Sequence, residues 1–234
     1  QLEAAITPKT KMFMINSPSN PTGAVYTKEE LAALGEVLLK HPNILVATDD
    51  MYEHINLTGT PFVNIVNACP ALKDRAIVLN GVSKAYSMTG WRIGFTAAPL
   101  PIAKAIIAIQ SHSTSNPTSF AQSGAVQALN GPQDHIDDWL AKFDERRRYA
   151  AERLNNMPGI SCINSKGAFY LFPNMAETGL KSAEFCERLL DQAKVAAVPG
   201  IAFGADNNFR ISYATSMENI QTGMARLEDF CKTL

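Results

Sequence analysis

Lys84 lies in the run Asn80-Gly81-Val82-Ser83-Lys84, among small residues and directly after the apolar stretch Ala76-Ile77-Val78-Leu79; Arg92 follows eight positions later. An unprotonated lysine amine condenses with aldehydes, and a neighbouring cation such as Arg92 favours the neutral amine. A guanidinium fork also grips phosphate through two parallel hydrogen bonds. Upstream, Asp49 and Tyr52 fall in DDMYE and Asn20 in SPSNPTG. A carboxylate keeps a pyridine nitrogen protonated, so that the ring can draw off electrons, while a phenol and an amide can hydrogen-bond a phenolic oxygen. An amine for an aldehyde, a carboxylate for a ring nitrogen and a guanidinium for a phosphate are together the requirements of pyridoxal 5'-phosphate.

Taken singly, each of these residues has a plain structural explanation. Asn-Pro-Thr-Gly is a good turn, and Asp49-Asp50 suits a helix cap. A lone Lys or Arg is usually a solvated charge. What joins them is the order of elements along the chain. Apolar runs at Lys11–Ile15, Ile44–Ala47, Ala76–Leu79 and Ile93–Ala97 read as strands. The pattern Thr27-x-x-Glu30 followed by Leu31, Leu34 and Leu38 reads as a capped amphipathic helix. Uninterrupted apolar strands separated by helices imply a mostly parallel sheet covered on both faces. Ligands bind such sheets outside the carboxyl ends of the strands. Asn20, Asp49, Tyr52 and Lys84 all follow strands, so parallel pairing gathers them at one edge. Arg92 precedes the fourth strand and joins that edge only if the strand is antiparallel.

Further helices are expected near 101–111, 119–129 and 133–155. The first is apolar enough to read as buried, and the cluster Arg146-Arg147-Arg148 on the third reads as a solvated face. Short strands at 168–172, 195–198 and 209–213, with helices near 182–192 and 217–232, suggest a small α+β domain. The expected division is 1–132 for part of the large domain and 133–234 for the long helix and small domain.

The totals exclude several classes. With 21 Lys+Arg against 22 Asp+Glu, the 234 residues carry a formal charge of -1 and no footprint for nucleic acid or an anionic membrane. No apolar run approaches the length needed to span a bilayer. Cys69, Cys162, Cys186 and Cys231 are scattered, without CxxC or histidine partners. That argues for free thiols in a reducing cytoplasm and against a metal centre. The chain opens QLEAAITPKT and runs at once into a strand, which suggests a portion of a longer polypeptide.

SPSNPTG at 17–23, DDMYE at 49–53, SKAYSMTGWRIG at 83–94 and FRISYA at 209–214 resemble, in order and spacing, the motifs of fold-type I aminotransferases, the bacterial aspartate aminotransferase subgroup in particular. The resemblance implies part of a large mixed, mostly parallel seven-stranded-sheet domain plus a small C-terminal domain. It implies transamination with pyridoxal 5'-phosphate, amino acid and 2-oxo acid substrates, and a homodimer with active sites at the subunit interface. Lys84 matches the lysine that holds the cofactor and carries the proton, and Asp49 the partner of the ring nitrogen. Tyr52 and Asn20 match the ligands of the ring oxygen, and Arg92, with Ser83, those of the phosphate. Arg210 matches the arginine that clamps the substrate α-carboxylate, with Asn20 assisting. Phe169 matches an aromatic near the substrate and is equally explicable as core. Gly81 stands where some relatives carry a serine. The glycine-rich phosphate turn and the ring-stacking aromatic of the family have no counterpart in this chain. Aspartate with 2-oxoglutarate is the leading substrate pair, with aromatic amino acids, alanine and prephenate open. A lyase or decarboxylase, the aminotransferase-like effector domain of a transcription regulator, and a catalytically dead fragment acting only in assembly are the rival readings.

Overall fold

The computed structural model describes residues 1–234, and its contacts divide the chain into two compact units. The first comprises Gln1–Pro18 and Val25–Ile136, the second Ser19–Ala24 and Asp137–Leu234.

In the first unit the order is α1 (Leu2–Ala5), β1 (Met12–Asn16), α2 (Lys28–Leu39), β2 (Leu45–Asp49), α3 (Ile65–Ala68), β3 (Ala76–Gly81), β4 (Gly94–Ala97), α4 (Leu100–Ser113) and α5 (Ser119–Asn130). The four strands lie in chain order, with β1, β2 and β3 parallel and β4 antiparallel to β3. Helix α2 starts at the foreseen capping box: Thr27 Oγ1 accepts from Glu30 N–H at 3.2 Å, and Glu30 Oε2 accepts from Thr27 N–H at 2.8 Å. Leu31 and Leu38 carry its inner face into a core with Ile15, Val46, Ile65 and Leu72. Arg75 ties the end of α2 to the strand that follows. Its Nη1 donates to the carbonyls of His41 (2.8 Å) and Ile44 (2.5 Å), and its Nη2 to that of Leu38 (2.7 Å). The last carbonyls of a helix lack intrahelical partners, and here a cation supplies one.

Helix α4 departs from its apolar composition. None of its residues is buried; Leu100, Ile107 and Ile109 are 66%, 65% and 72% exposed, and Phe120 of α5 is 72% exposed. Apolarity here marks a face that this chain leaves uncovered.

The second unit continues from α6 (Asp134–Asn155), whose first residues belong to the first unit, through β5 (Tyr170–Leu171), α7 (Ser182–Arg188), β6 (Val198–Pro199), β7 (Phe209–Ser212) and α8 (Met217–Cys231). Its sheet has the order β5-β7-β6, antiparallel throughout. Leu154, Leu171, Phe185, Leu189, Phe209, Leu227 and Phe230 form its centre. The arginine cluster of α6 is not uniformly solvated. Arg147 has a side chain only 12% exposed and bonds both Asp144 and the Ser165 carbonyl, whereas Arg148 is 71% exposed. A helix turns 100° per residue, so adjacent arginines face different surroundings.

Candidate active site

Strand register decides what meets at the carboxyl edge of the first unit's sheet. Asn16 pairs with Asp49 and Asp49 with Leu79, so β1 and β2 end level. Asn16 Nδ2 donates to the Asp49 carbonyl at 2.8 Å and fastens the two strand ends. β3 runs on to Gly81, which faces Gly94 of the antiparallel β4. Ser83 and Lys84 leave the sheet where Arg92 enters it, so the antiparallel condition for Arg92 is met.

Past β2 the chain turns tightly. Asp49 Oδ1 accepts the N–H of Met51 at 3.2 Å, and Glu53 N–H donates to the Asp50 carbonyl at 2.8 Å. The turn buries Tyr52, 4% exposed, and Lys84 Nζ lies 5.9 Å from the centre of its ring. Asp50 is no helix cap. It is 2% exposed and its carboxylate accepts from Thr48 Oγ1 (2.6 Å) and Asn64 Nδ2 (2.7 Å). Desolvation pushes this carboxyl above the usual range, against the pull of those two hydrogen bonds. Asp50 thereby fixes the turn that carries Asp49 and Tyr52, a role that local pattern did not disclose.

Gly81 has a steric reason. A Cβ there would meet the Ile93 carbonyl at 2.8 Å and Gly94 Cα at 3.1 Å, so glycine lets β4 approach closely. The Lys84–Arg92 segment is backed by Val82, Met88 and Ile93 packed with Ala121 and Ala125 of α5. Trp91 sits over Gly124, where a Cβ would come within 2.4 Å of its ring. Arg92 adopts left-handed backbone, φ 57°, uncommon for a non-glycine residue, and its Nη1 donates to the Thr89 carbonyl at 2.9 Å.

The second unit brings Asn20 and Arg210 together. Arg210 Nη1 donates to Asn20 Oδ1 at 2.7 Å across 190 positions of sequence. The 19–24 loop is bound to this unit through Gly23, whose carbonyl accepts from Lys166 N–H (2.8 Å) and Gly167 N–H (3.0 Å). Gly23 has φ +66°, and a Cβ on it would lie 2.3 Å from Ser165 Cβ, so only glycine fits the motif's last position. The guanidinium carbon of Arg210 lies 4.4 Å from the ring centre of Tyr170 and 5.2 Å from that of Phe203. No carboxylate of the chain ion-pairs with it. A half-buried guanidinium on two rings, without an acidic partner, has the chemistry to accept an anion. Phe169 stacks on Phe143 at 5.7 Å and is partly buried against the core of this unit. Tyr170 and Phe203 were not singled out from sequence; their only signal is an aromatic content of the β5 and β6–β7 segments that core packing equally explains.

The aminotransferase class I and II family model matches residues 1–227, and the chain belongs to that family. It is 52% identical over 238 residues to the aspartate/prephenate aminotransferase of Nitrosomonas europaea, covering 97% of this chain and 60% of that relative. Its fold is the fold-type I aminotransferase architecture. The aspartate aminotransferase of Rhizobium meliloti superposes with a TM-score of 0.94 at 44% identity, over 99% of this chain and 60% of that one. The aromatic aminotransferase of Pyrococcus horikoshii gives 0.93 at 38% identity, over 99% and 62%. The chain thus spans about 60% of the length of the relatives it matches.

Proposed function

We propose that the polypeptide carrying this chain is a pyridoxal 5'-phosphate-dependent aminotransferase that moves the amino group of L-aspartate to 2-oxoglutarate. The observation that carries the reading is the meeting of Lys84, Tyr52, Asp49 and Arg92 at one sheet edge, where register rather than sequence proximity unites them. The first unit's donors are of the kinds the cofactor needs, Lys84 for its aldehyde, Asp49 for its ring nitrogen, Tyr52 for its ring oxygen, Arg92 and Ser83 for its phosphate, and the family resemblance adds Asn20 as a second ligand of the ring oxygen. Bound there, pyridoxal phosphate would supply an aldehyde for the substrate nitrogen and a ring able to draw electrons from the Cα–H bond.

The chain's own residues do the rest. Arg210 and Asn20 hold the α-carboxylate and so orient the substrate. Lys84 Nζ, as the nearest amine, would act as the base that takes the proton from the substrate Cα and as the acid that gives it back. Asp49, its Oδ1 steadied by Met51 N–H, would supply the carboxylate for the ring nitrogen. Retention of the carboxylate by Arg210 favours transamination over decarboxylation.

The name of the Nitrosomonas relative supports prephenate as a second amino-group acceptor. The uncovered apolar face of α4 and α5 supports assembly as a homodimer, and the free thiols suit the cytoplasm. No helix is long and apolar enough to cross a membrane. The test is a half-reaction on the complete, cofactor-loaded polypeptide. L-aspartate shifts its visible absorbance to that of the aminated cofactor, and Lys84→Ala loses the covalent chromophore. A chromophore that persists as a lysine adduct in that variant refutes the assignment of Lys84. A spectrum indifferent to L-aspartate but responsive to another amino acid refutes the substrate.

A further inference from the structure

Arg210 is held in an unusual way. A surface arginine ordinarily meets an acid or water, whereas this one lies over Tyr170 and Phe203 and spends one N–H on an amide. The two rings are themselves braced. Tyr170, 7% exposed, packs against Phe169 at 4.7 Å, and Phe203 meets Phe172 edge-on at 5.9 Å and 88°. We infer that Tyr170 and Phe203 are positioning residues that set how tightly Arg210 binds a carboxylate. The inference rests on the carboxylate-clamp reading above and deepens it.

The physical argument has two parts. A guanidinium binds a carboxylate edge-on through its planar fork, so contacts made to its face leave the fork available. Ring faces attract the cation electrostatically and fix its plane before the ligand arrives. An arginine without them must lose its rotamer freedom on binding, and affinity falls accordingly. The rings also displace water from beside the cation, and the attraction between opposite charges strengthens as local screening weakens. β7 supplies the arginine and β5 one ring, in the pairing Tyr170 with Ser212 and Leu171 with Ile211, and Phe203 comes from the short turn Gly200–Phe203 that follows β6.

The experiment uses the complete, cofactor-loaded polypeptide and an unreactive dicarboxylate, maleate, titrated by absorbance, together with steady-state kinetics. Tyr170→Leu and Phe203→Leu are each expected to raise the maleate Kd and the KM of the amino acid about tenfold. They leave kcat, and reaction with an amine lacking a carboxylate, within about twofold. Tyr170→Phe and Phe203→Tyr, which keep the ring faces, restore affinity. Because Tyr170 is buried and its loss can disturb folding, Phe203→Leu at a half-buried position carries the test independently. Leucine variants that bind maleate as tightly as the parent overturn the inference, as does a fall in kcat equal to the loss of affinity. Arg210→Leu separates the two claims. If it weakens maleate while the ring variants are silent, the positioning role alone fails. If it leaves maleate binding unchanged, the carboxylate clamp fails with it.

Discussion

Replacing Gly23 by alanine tests whether the 19–24 loop is truly built into the second unit. The residue has φ +66°, and forcing an L side chain into that region costs about 1–2 kcal/mol. Its new Cβ would sit 2.3 Å from Ser165 Cβ and 2.8 Å from the Gly167 carbonyl, so either atoms shift or the loop lifts away. Accommodation by overpacking costs about 1–3 kcal/mol. Lifting away gives up the two hydrogen bonds from Lys166 and Gly167, about 0.5–1.5 kcal/mol each. Accommodation in place, strain included, thus costs about 2–5 kcal/mol and lifting away about 1–3 kcal/mol; the cheaper route is still a sizeable share of the roughly 5–15 kcal/mol that holds an ordinary domain together. Urea unfolding followed by circular dichroism reads this as a lowered midpoint. Adding Ser165→Gly removes the closest clash but neither the backbone strain nor the Gly167 contact, so it restores part of the loss. A Gly23→Ala midpoint lower by less than about 1 kcal/mol equivalent, or no coupling to Ser165, would refute the close packing.

Two further perturbations probe the scaffold. Arg75→Met strips three carbonyls of their cationic donor and is expected to cost about 2–4 kcal/mol by urea unfolding, with Arg75→Lys recovering only part because one ammonium cannot reach all three; an unchanged midpoint would contradict the capping role. Desolvation raises the Asp144 carboxyl, but hydrogen bonds from Arg148 and Arg147 outweigh it and leave the group below the usual range. A depressed folded value means that its stabilisation is present above the ordinary carboxylate pKa and is lost as pH falls through the folded one. Asp144→Asn should therefore lower stability at neutral pH and flatten the acid limb of a denaturation-midpoint profile; an acid limb unchanged by the substitution would rule this out.

Sequence alone determined the elements whose causes are local. Thr27 and Glu30 specify a helix start through contacts three residues apart, and the apolar runs before Asn16, Asp49 and Asn80 specify strands whichever partner they find. Once those strands are parallel, residues immediately after them must share an edge, which is why the order of residues alone groups Asp49, Tyr52 and Lys84. What only tertiary structure decided were matters of partner and exposure. The antiparallel entry of β4 brings Arg92 to the edge, yet its direction is set by pairing with β3, not by its own composition. Apolar α4 is exposed and cationic Arg147 is covered, because burial depends on what packs against a face, while hydropathy records only what the face would prefer. Asp50 looked like its neighbour Asp49 until Thr48 and Asn64 were seen to close on it. Arg210 meets Asn20 across 190 residues and two aromatic rings from separate segments, and no periodicity within a strand of four residues encodes that distance. Local chemistry is written in the order of residues; which charges are buried, paired or left open to a ligand is settled only when distant segments compete for the same space.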